Sequence, residues 1–283
     1  MAGLPRQALS ARVGHHLELP FFEFHLKGKG EPKLPSVLAF ETGTNRWREY
    51  KSWPPKGTRP LELYLAAGSR LAAEAPRGKA DAFDEYVSDP AKLVPYSEKT
   101  STVMDPEYPC ADQRFAGRRA DVLVYEGDRL SKPVTLAGPI EVELYVSTTG
   151  TDSDWIVKLI DVYPDDHPDP KPNPSNVKMG GYQQLVRGEV MRGRLRNSFE
   201  KPEAFEPGQP TAIRFRLLDV NHVFRAGHRI MVQVQSSWFP LVDRNPQTFV
   251  NVADAKESDF RKATQRVYRS KDRPSRLVAQ VLP

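Results

Sequence analysis

The chain has 283 residues, of which 39% are hydrophobic, and this is enough for a large domain with a packed core. The net charge is +5, and Cys110 is the single cysteine, which excludes intramolecular disulfides and thiolate metal clusters. No apolar run approaches the roughly 18 residues of a membrane span. Residues 1–14 lack the apolar core of a signal peptide, and localisation stays open.

Residues 8–27 are predicted to be helical, because Leu9, Val13 and Leu17 recur at helical spacing. Pro20 predicts a kink or a restart, and the glycines at 28 and 30 predict the helix end. Residues 37–40 form a short apolar run that is typical of a buried strand. The Pro-Pro-Lys-Gly sequence at 54–57 then breaks the pattern. We therefore divide the chain into an N-terminal region, 1–57, and a main domain, 58–283.

The main domain is predicted to consist of strands and loops, with few helices. In residues 139–147, apolar and polar side chains alternate with a period of two, which indicates a sheet with one wet face. We expect the same one-sided burial at 156–162, 213–217 and 230–234, and shorter strands at the following positions: 61–65, 83–87 and 122–125. Without crossover helices, these strands are expected to be antiparallel and to stack as two sheets. The predicted fold is mainly β, a jelly-roll β-sandwich.

Several segments, in the right order, resemble one family of serine hydrolases. They are LPFFEFHL at 19–26, VLAFETGTNRWREYKSWP at 37–54, the ADQRF and DVLVYE pair within 111–126, STTGTDSDWIVKLIDVYP at 147–164, and residues 188–247. Through these segments the chain resembles the C-terminal region of one family. That family comprises the α-amino-acid ester hydrolases, glutaryl-7-aminocephalosporanic acid acylases, cocaine esterase and X-prolyl dipeptidyl peptidases. The resemblance implies a galactose-binding-like jelly roll at 58–283, preceded by a helix-strand remnant of an α/β-hydrolase domain at 1–57.

The same resemblance implies that this chain alone is catalytically inactive. In the family, the Ser–Asp–His triad lies upstream of the PFF helix, and no G-x-S-x-G nucleophile elbow occurs in these 283 residues. The implied partner is an N-terminal α/β-hydrolase catalytic domain, and the implied role is to wall the active site of an enzyme that cleaves ester or amide bonds. Without that partner, apolar surface around Phe21, Phe22 and 37–40 is expected to be exposed, which would favour homo-oligomers.

Four residues are candidates for lining the substrate pocket of such an enzyme. In related enzymes, the segment that corresponds to 97–109 approaches the pocket, and this correspondence selects Val103, Met104 and Tyr108. Trp238 stands beside Phe239 and Pro240 at a strand end, where one aromatic side chain can be core and the other exposed. Its two interpretations, packing near the pocket and packing in the core, stay open.

The remaining motifs favour structural interpretations. His222 and His228 flank a turn and are expected to bind backbone groups, and the acid-rich loop 163–170 lacks EF-hand spacing, so we predict no catalytic residue, metal or cofactor. The basic stretch 261–276 matches no nucleic-acid motif, and no nucleic-acid or membrane partner is predicted. An independent carbohydrate-binding module is the alternative function, with Trp155 and Trp238 as its aromatic candidates.

Overall fold

The computed structural model describes residues 13–31, 34–77, 81–99, 103 and 107–283. The first of these ranges contains one helix. A π-helical turn, Gly14–Glu18, leads directly into an α-helix, Leu19–Lys27, and Pro20, which has no N–H to donate to the preceding turn, stands where one helix type passes into the other. The helix ends at Gly28, whose φ of 61° is left-handed, as predicted. Residues 8–12 of the predicted helix lie outside the described residues.

The rest of the described chain is built mainly from strands. In chain order these are β1 (Val37–Glu41), β2 (Arg46–Tyr50), β3 (Arg59–Ala66), β4 (Arg70–Ala72), β5 (Phe83–Ser88), β6 (Leu123–Glu126), β7 (Val134–Thr148), β8 (Asp154–Val162), β9 (Gln183–Arg192), β10 (Thr211–Phe224), β11 (Arg229–Gln235), β12 (Ala263–Tyr268) and β13 (Arg276–Val281). A four-residue helix, Arg114–Gly117, and short 3₁₀ turns connect some of them. The chain is therefore mainly β with one N-terminal helix, as the composition predicts.

Strands β1 and β2 form a separate antiparallel hairpin, which joins the N-terminal helix to the main domain. The turn between them contains Gly43, with a φ of +87°, and a Cβ at this position would lie 2.2 Å from the carbonyl oxygen of Val223. Glycine thus permits the hairpin to lie directly against β10. Residues 37–40 are half-buried rather than buried as predicted, because a two-stranded hairpin covers little of its own surface.

Strands β3 to β13 form one hydrogen-bonded mixed sheet, in the order β5-β12-β7-β13-β3-β4-β6-β11-β8-β9, with β10 on the other edge of β7. The strand pairs are antiparallel apart from the contact of β4 with β6, which links the two halves of the sheet. We expected two separate sheets, and this link makes them continuous. Both halves contribute to one core, in which Leu144 of β7 and Leu159 of β8 are each 0% exposed.

The two halves of the sheet differ on their outer faces. In β7 and β10, core residues alternate with exposed or half-buried ones, and this confirms the predicted wet face at 139–147 and 213–217. All nine residues of β8 are buried, as are the six of β11 that follow Arg229. The predicted wet face at 156–162 and 230–234 is therefore wrong. The reason is a layer of loops that packs onto the outer face of β6, β11, β8 and β9.

Candidate functional site

The loops on that outer face form a covering layer, which we define as the described residues of 94–117 together with 236–242. Its backbone is joined across the two segments, since Tyr96 N–H donates to the carbonyl of Phe239 at 2.8 Å and Phe239 N–H donates to that of Val94 at 3.0 Å. Three aromatic side chains of the layer pack on the sheet in a second apolar cluster, separate from the main core. The cluster consists of Tyr96, Tyr108, Trp238, Ile156, Ile160, Val162, Leu185 and Met231.

The structure brings together two of the four predicted pocket residues. Tyr108 and Trp238 are each 5% exposed, and their ring centroids lie 5.8 Å apart in an edge-to-face contact. Val103 lies on the same covering layer and is 72% exposed. Met104 falls outside the described residues. Phe239, the neighbour of Trp238, is 41% exposed, so within this chain Trp238 is the core aromatic of the pair.

The segment Asp112-Gln113-Arg114, one of the motifs singled out in the sequence, anchors the covering layer to the sheet. The Asp112 carboxylate accepts hydrogen bonds from Gln183 N–H at 3.2 Å and from Arg114 Nε at 2.6 Å. The Arg114 guanidinium in turn donates to the carbonyls of Gly180 at 2.9 Å and Lys178 at 3.0 Å. Because a guanidinium presents several donors in a fixed plane, this one residue ties the layer to the loop before β9.

Gln113, the middle residue of that motif, accepts a hydrogen bond from a lysine inside the protein. Lys158 lies in the centre of β8, is 0% exposed, and donates from Nζ to Gln113 Oε1 at 3.0 Å. Its Nζ also lies 5.3 Å from the ring centroid of Trp238. Burial lowers the pKa of Lys158 to about 7, since a charged amine is costly away from water. Among the described residues, no carboxylate forms an ion pair with it.

Gly188 of β9 lies opposite Lys158 in the sheet and makes room for Trp238. A Cβ at this glycine would stand 2.7 Å from Cη2 of the indole, so any other residue would displace the ring. Around the same cluster, Tyr108 Oη, Trp238 Nε1 and Gln233 Oε1 are buried without a hydrogen-bond partner. The covering layer is thus closely packed but incompletely hydrogen-bonded, which is unusual for a protein interior.

Lys158 and Gln113 both lie in motifs quoted in the sequence analysis, but the sequence alone assigned neither residue a role. The signal that could have found Lys158 is a charge inside the otherwise apolar run 156–160, IVKLI. In a strand with one wet face such a residue points to solvent, whereas under a covering layer it needs a buried partner. The partner, Gln113, is distant in sequence and only the folded chain identifies it.

The described residues show no arrangement for nucleophilic catalysis. His222 and His228 are buried, and they face the carboxylate of Asp161 at 3.4 and 2.8 Å, respectively. The expectation that they bind backbone groups is therefore wrong, since their partners are side chains. No serine hydroxyl within the described part of the chain is hydrogen-bonded to a histidine.

The other surfaces considered from the sequence have local explanations. Much of the basic segment near the C-terminus pairs with the acidic segment around β5, in Arg266–Glu85, Arg269–Asp84, Arg273–Asp81 and Lys262–Asp89. The acid-rich loop, 163–170, borders an open surface cavity of about 690 Å³.

Within the described residues, no cluster of three or more histidine, cysteine or acidic side chains is arranged to hold a metal. In that same part of the chain, no helix has both the length and the apolar character needed to cross a membrane.

The two tryptophans considered for carbohydrate binding are both interior. Trp155 is 0% exposed and faces the main core, and Trp238 is covered as described above. A sugar platform needs an accessible aromatic face, and neither indole provides one.

Comparison with known proteins identifies the family. Residues 30–278 match the model of the X-Pro dipeptidyl-peptidase C-terminal non-catalytic domain. The chain is 32% identical over 272 residues to cocaine esterase of Rhodococcus sp. (strain MB1 Bresler), with 93% of this chain and 45% of that protein covered.

Two solved structures are also similar. The first is an aminopeptidase from the marine sediment archaeon Thaumarchaeota archaeon, with 41% identity, a TM-score of 0.87, and coverage of 96% of this chain and 45% of that one. The second is an α-amino acid ester hydrolase labelled with selenomethionine, with 43% identity, a TM-score of 0.86, and coverage of 97% and 45%. In each case the chain spans less than half of the relative. The chain belongs to the family of X-Pro dipeptidyl-peptidase C-terminal non-catalytic domains, whose relatives include cocaine esterase and an α-amino acid ester hydrolase.

Proposed function

We propose that this chain is the C-terminal, non-catalytic part of a serine hydrolase that cleaves ester or amide bonds, of the acyl or X-Pro dipeptidyl type. In this role it walls the active site and supports assembly with an N-terminal α/β-hydrolase domain. The observation that carries the proposal is the match of residues 30–278 to a non-catalytic domain, within relatives of which the chain covers only 45%. The absence of a nucleophile elbow from the sequence agrees with it.

The exposed apolar surface of the N-terminal helix is a second argument that a partner domain packs on this side of the chain. Its apolar side chains are exposed all round, and their exposed fractions are 48% for Leu19, 44% for Phe21, 52% for Phe22, 38% for Phe24 and 75% for Leu26. A helix that is hydrophobic all round is normally buried. We assign residues 1–57 to the end of the catalytic domain and residues 58–283 to a galactose-binding-like jelly roll; this boundary differs from the start of the family match at residue 30 and places 30–57 on the catalytic side. The hairpin outside the main sheet is consistent with this division.

Within this role we propose that the covering layer is the wall of the substrate pocket. Val103 is the exposed member, and Met104 is its neighbour in the chain. Tyr108 and Trp238 would form the packed inner side of the wall and fix its position. The anchoring of the layer by Asp112 and Arg114 supports this assignment, because a wall that selects substrates has to be held in place.

The first test measures esterase activity. We expect the isolated chain to give no turnover of a p-nitrophenyl ester, and we expect turnover when the coding region upstream of Met1 is expressed with it. Robust turnover by the isolated chain, abolished by a serine-directed inhibitor, would contradict the proposal. An upstream region that encodes no hydrolase domain would contradict it as well.

The second test addresses the wall in the assembled enzyme. Replacing Val103 or Met104 by alanine should change the ratio of kcat/KM values between a small and a bulky acyl ester by about tenfold, the effect of one or two methylenes in a pocket. Phe199→Ala is the matched control, since Phe199 is also apolar and is 78% exposed. If all three substitutions changed kcat/KM equally for both esters, the assignment of Val103 and Met104 to the wall would be contradicted.

A further inference from the structure

The segment that contains Val103 is fixed to the rest of the chain on both sides. On one side, Tyr96 N–H donates to the carbonyl of Phe239 at 2.8 Å. On the other side, Gln113 N–H donates to the carbonyl of Gln183, the first residue of β9, at 2.9 Å. Val103 lies between these two points in the chain, so its position depends on how firmly both points are held on the sheet.

Gln113 has a partner for each of its polar groups. Its side-chain Nε2 donates to the carbonyl of Ala111 at 3.1 Å, and its own carbonyl accepts from Ala116 N–H and Gly117 N–H, both at 3.1 Å. The remaining acceptor, Oε1, receives the hydrogen bond from Lys158 Nζ at 3.0 Å. Gln113 is 0% exposed, so water does not compete for these bonds. Its Oε1 is therefore a fixed acceptor on the covering layer.

Lys158 contacts both segments of the covering layer. It donates to Gln113 in the first segment, and its Nζ lies 5.3 Å from the ring centroid of Trp238 in the second. Both side chains cross Gly188, since a Cβ at this glycine would lie 2.7 Å from Cη2 of the indole and 3.4 Å from Lys158 Cγ. One side chain of β8 thus links the sheet to the two segments at once.

The link lowers the stability of the fold. Burial lowers the pKa of Lys158 to about 7, which means that the folded protein disfavours the charged amine. An apolar side chain of similar length would fill the same place without this cost. The contribution that an apolar side chain cannot make is the directional hydrogen bond to Gln113.

We propose that Lys158 and Gln113 are positioning residues of the pocket wall. Their hydrogen bond fixes the covering layer on β8 and thereby sets the place of Val103, so the pair controls the choice between small and bulky acyl groups without touching the substrate. An amine donates a hydrogen bond whether or not it is charged, and the link therefore holds across the neutral pH range. This role rests on the proposed function of the wall, whereas the fixing of the layer is a property of this chain alone.

Hydrogen exchange in the 283-residue chain tests the fixing of the layer. In Lys158→Met at pH 7, the protection of Gln113 N–H and Tyr96 N–H should fall by about tenfold, the effect of one lost hydrogen bond. The amides of the β8–β11 ladder should become more protected, because the fold no longer buries a charge. The two sets of amides should therefore change in opposite directions.

The opposite directions distinguish positioning from a general structural role, which would change both sets in the same direction. Lys178→Met is the matched control, since Lys178 has 66% of its side chain exposed and should change neither set. Layer amides of Lys158→Met that keep their protection, or that follow the ladder amides, would overturn the proposal.

Two substitutions of Gln113 isolate the hydrogen bond itself. Gln113→Leu and Gln113→Glu both lose the donor to Ala111, but only glutamate keeps an acceptor for Lys158. The layer should therefore be about tenfold less protected in Gln113→Leu than in Gln113→Glu. In the Lys158→Met background, glutamate should lose this advantage. Equal protection in the two single variants would refute the role of the hydrogen bond.

The assembled enzyme tests the consequence for the substrate. Lys158→Met and Gln113→Leu should change the ratio of kcat/KM values between a small and a bulky acyl ester by up to about tenfold, and Gln113→Glu should restore the wild-type ratio. If Val103→Ala changes the ratio and these two variants do not, the positioning role is wrong and the wall stands. If Val103→Ala has no effect either, the wall itself is wrong, and hydrogen exchange still decides whether the pair fixes the layer.

Discussion

The two outer faces of the sheet contain charged residues at equivalent outward positions, but these residues differ in their exposure to water. On the outer face of β7, β10 and β13, Glu143 lies between two arginines, with Arg214 Nε at 2.9 Å and Arg276 Nη2 at 3.1 Å. Arg214 has 66% of its side chain exposed. The side chains of Glu143 and Arg276 are half-buried, but all three side chains reach water, which screens these ion pairs and keeps their individual contributions small.

On the outer face of β11, β8 and β9, the outward position holds Lys158, and the covering layer removes it from water. Its amine has one hydrogen bond, to Gln113, and the ring of Trp238 nearby. The difference shows that the stability contributed by an outward charge depends on what packs over it. On the wet face a charge is nearly neutral in its effect, whereas on the covered face it is costly and the covering contacts have to outweigh it.

The largest effect is expected from removing the central aromatic of the covered face. Trp238→Ala should lower the free energy of unfolding by about 3–5 kcal/mol, because it leaves a cavity above Gly188 and Lys158. Urea denaturation of the two proteins measures the difference. Phe199→Ala, a change at a residue that is 78% exposed, is the control and should stay within about 0.5 kcal/mol. Similar losses for both variants would mean that the layer does not pack as described.

Removing the buried charge should stabilise the protein and change its response to pH. The folded pKa of Lys158, about 7, lies below the ordinary value of 10.5. Between these values the unfolded chain binds more protons, so stability rises with pH, is fully gained above the unfolded pKa and is lost as the pH falls towards 7. From pH 7 to 9 the wild type should gain about 2 kcal/mol from this group, because the gain per pH unit is half of the full value of about 1.4 kcal/mol at the folded pKa and approaches it only above pH 8.

The variant Lys158→Met should be more stable than the wild type at pH 7 and should lack most of this rise. Urea denaturation at pH 7, 8 and 9 provides the comparison. Lys178→Met is the control, since Lys178 has 66% of its side chain exposed and should show no such change. Parallel pH curves for wild type and Lys158→Met would contradict the lowering of the Lys158 pKa by burial.

A smaller effect is expected at the anchor of the covering layer. Asp112→Ala removes the acceptor for Gln183 N–H and Arg114 Nε and should cost about 2 kcal/mol, in the range for hydrogen bonds to charged groups. Proteolysis should also begin in the covering layer, because it opens before the sheet does. Glu74→Ala, in an exposed ion pair with Arg77, is the control. A variant that is cleaved no faster than the wild type would show that the motif is not the anchor.

The smallest effect is expected on the wet face. Arg216 lies 3.4 Å from Glu141, and their side chains are 56% and 60% exposed. Arg216→Ala should change stability by less than about 0.5 kcal/mol, and the change should vanish in high salt. A double-mutant cycle with Glu141→Ala measures the coupling. A coupling energy that persists at high salt would mean that this pair is less exposed to solvent than the structure shows.

Some features of the fold could be predicted from local pattern, and others could not. The helix end at Gly28 and the alternation in β7 and β10 follow from backbone preference and a period of two, which act within a few residues. The strands β9, β12 and β13 were missed, because their polar side chains interrupt the pattern. In β12, Arg266 lies opposite Glu85 of β5, and a contact of this kind exists only after distant strands have paired.

The candidate site likewise has features that could be predicted from the sequence and features that could not. Tyr108 and Trp238 could be selected because they are aromatic and stand in segments shared with a known family. Their mutual contact, the burial of Trp238 rather than Phe239, and the role of Lys158 depend on how two distant loops meet over β8. His222 and His228 were expected on backbone groups for the same reason, since Asp161 is far from them in sequence.

The sequence by itself determined the family, the mainly β class and the set of residues that share each face of a strand. Those properties depend on motifs, composition and the period of two, which are local. Only the tertiary structure decided which faces are wet, since an outward side chain on β8 and one on β10 look alike until a loop packs over one of them. Burial is a property of the assembled layers, and it gives Lys158 and Arg214 opposite energetic roles although both are cations on strands of the same sheet.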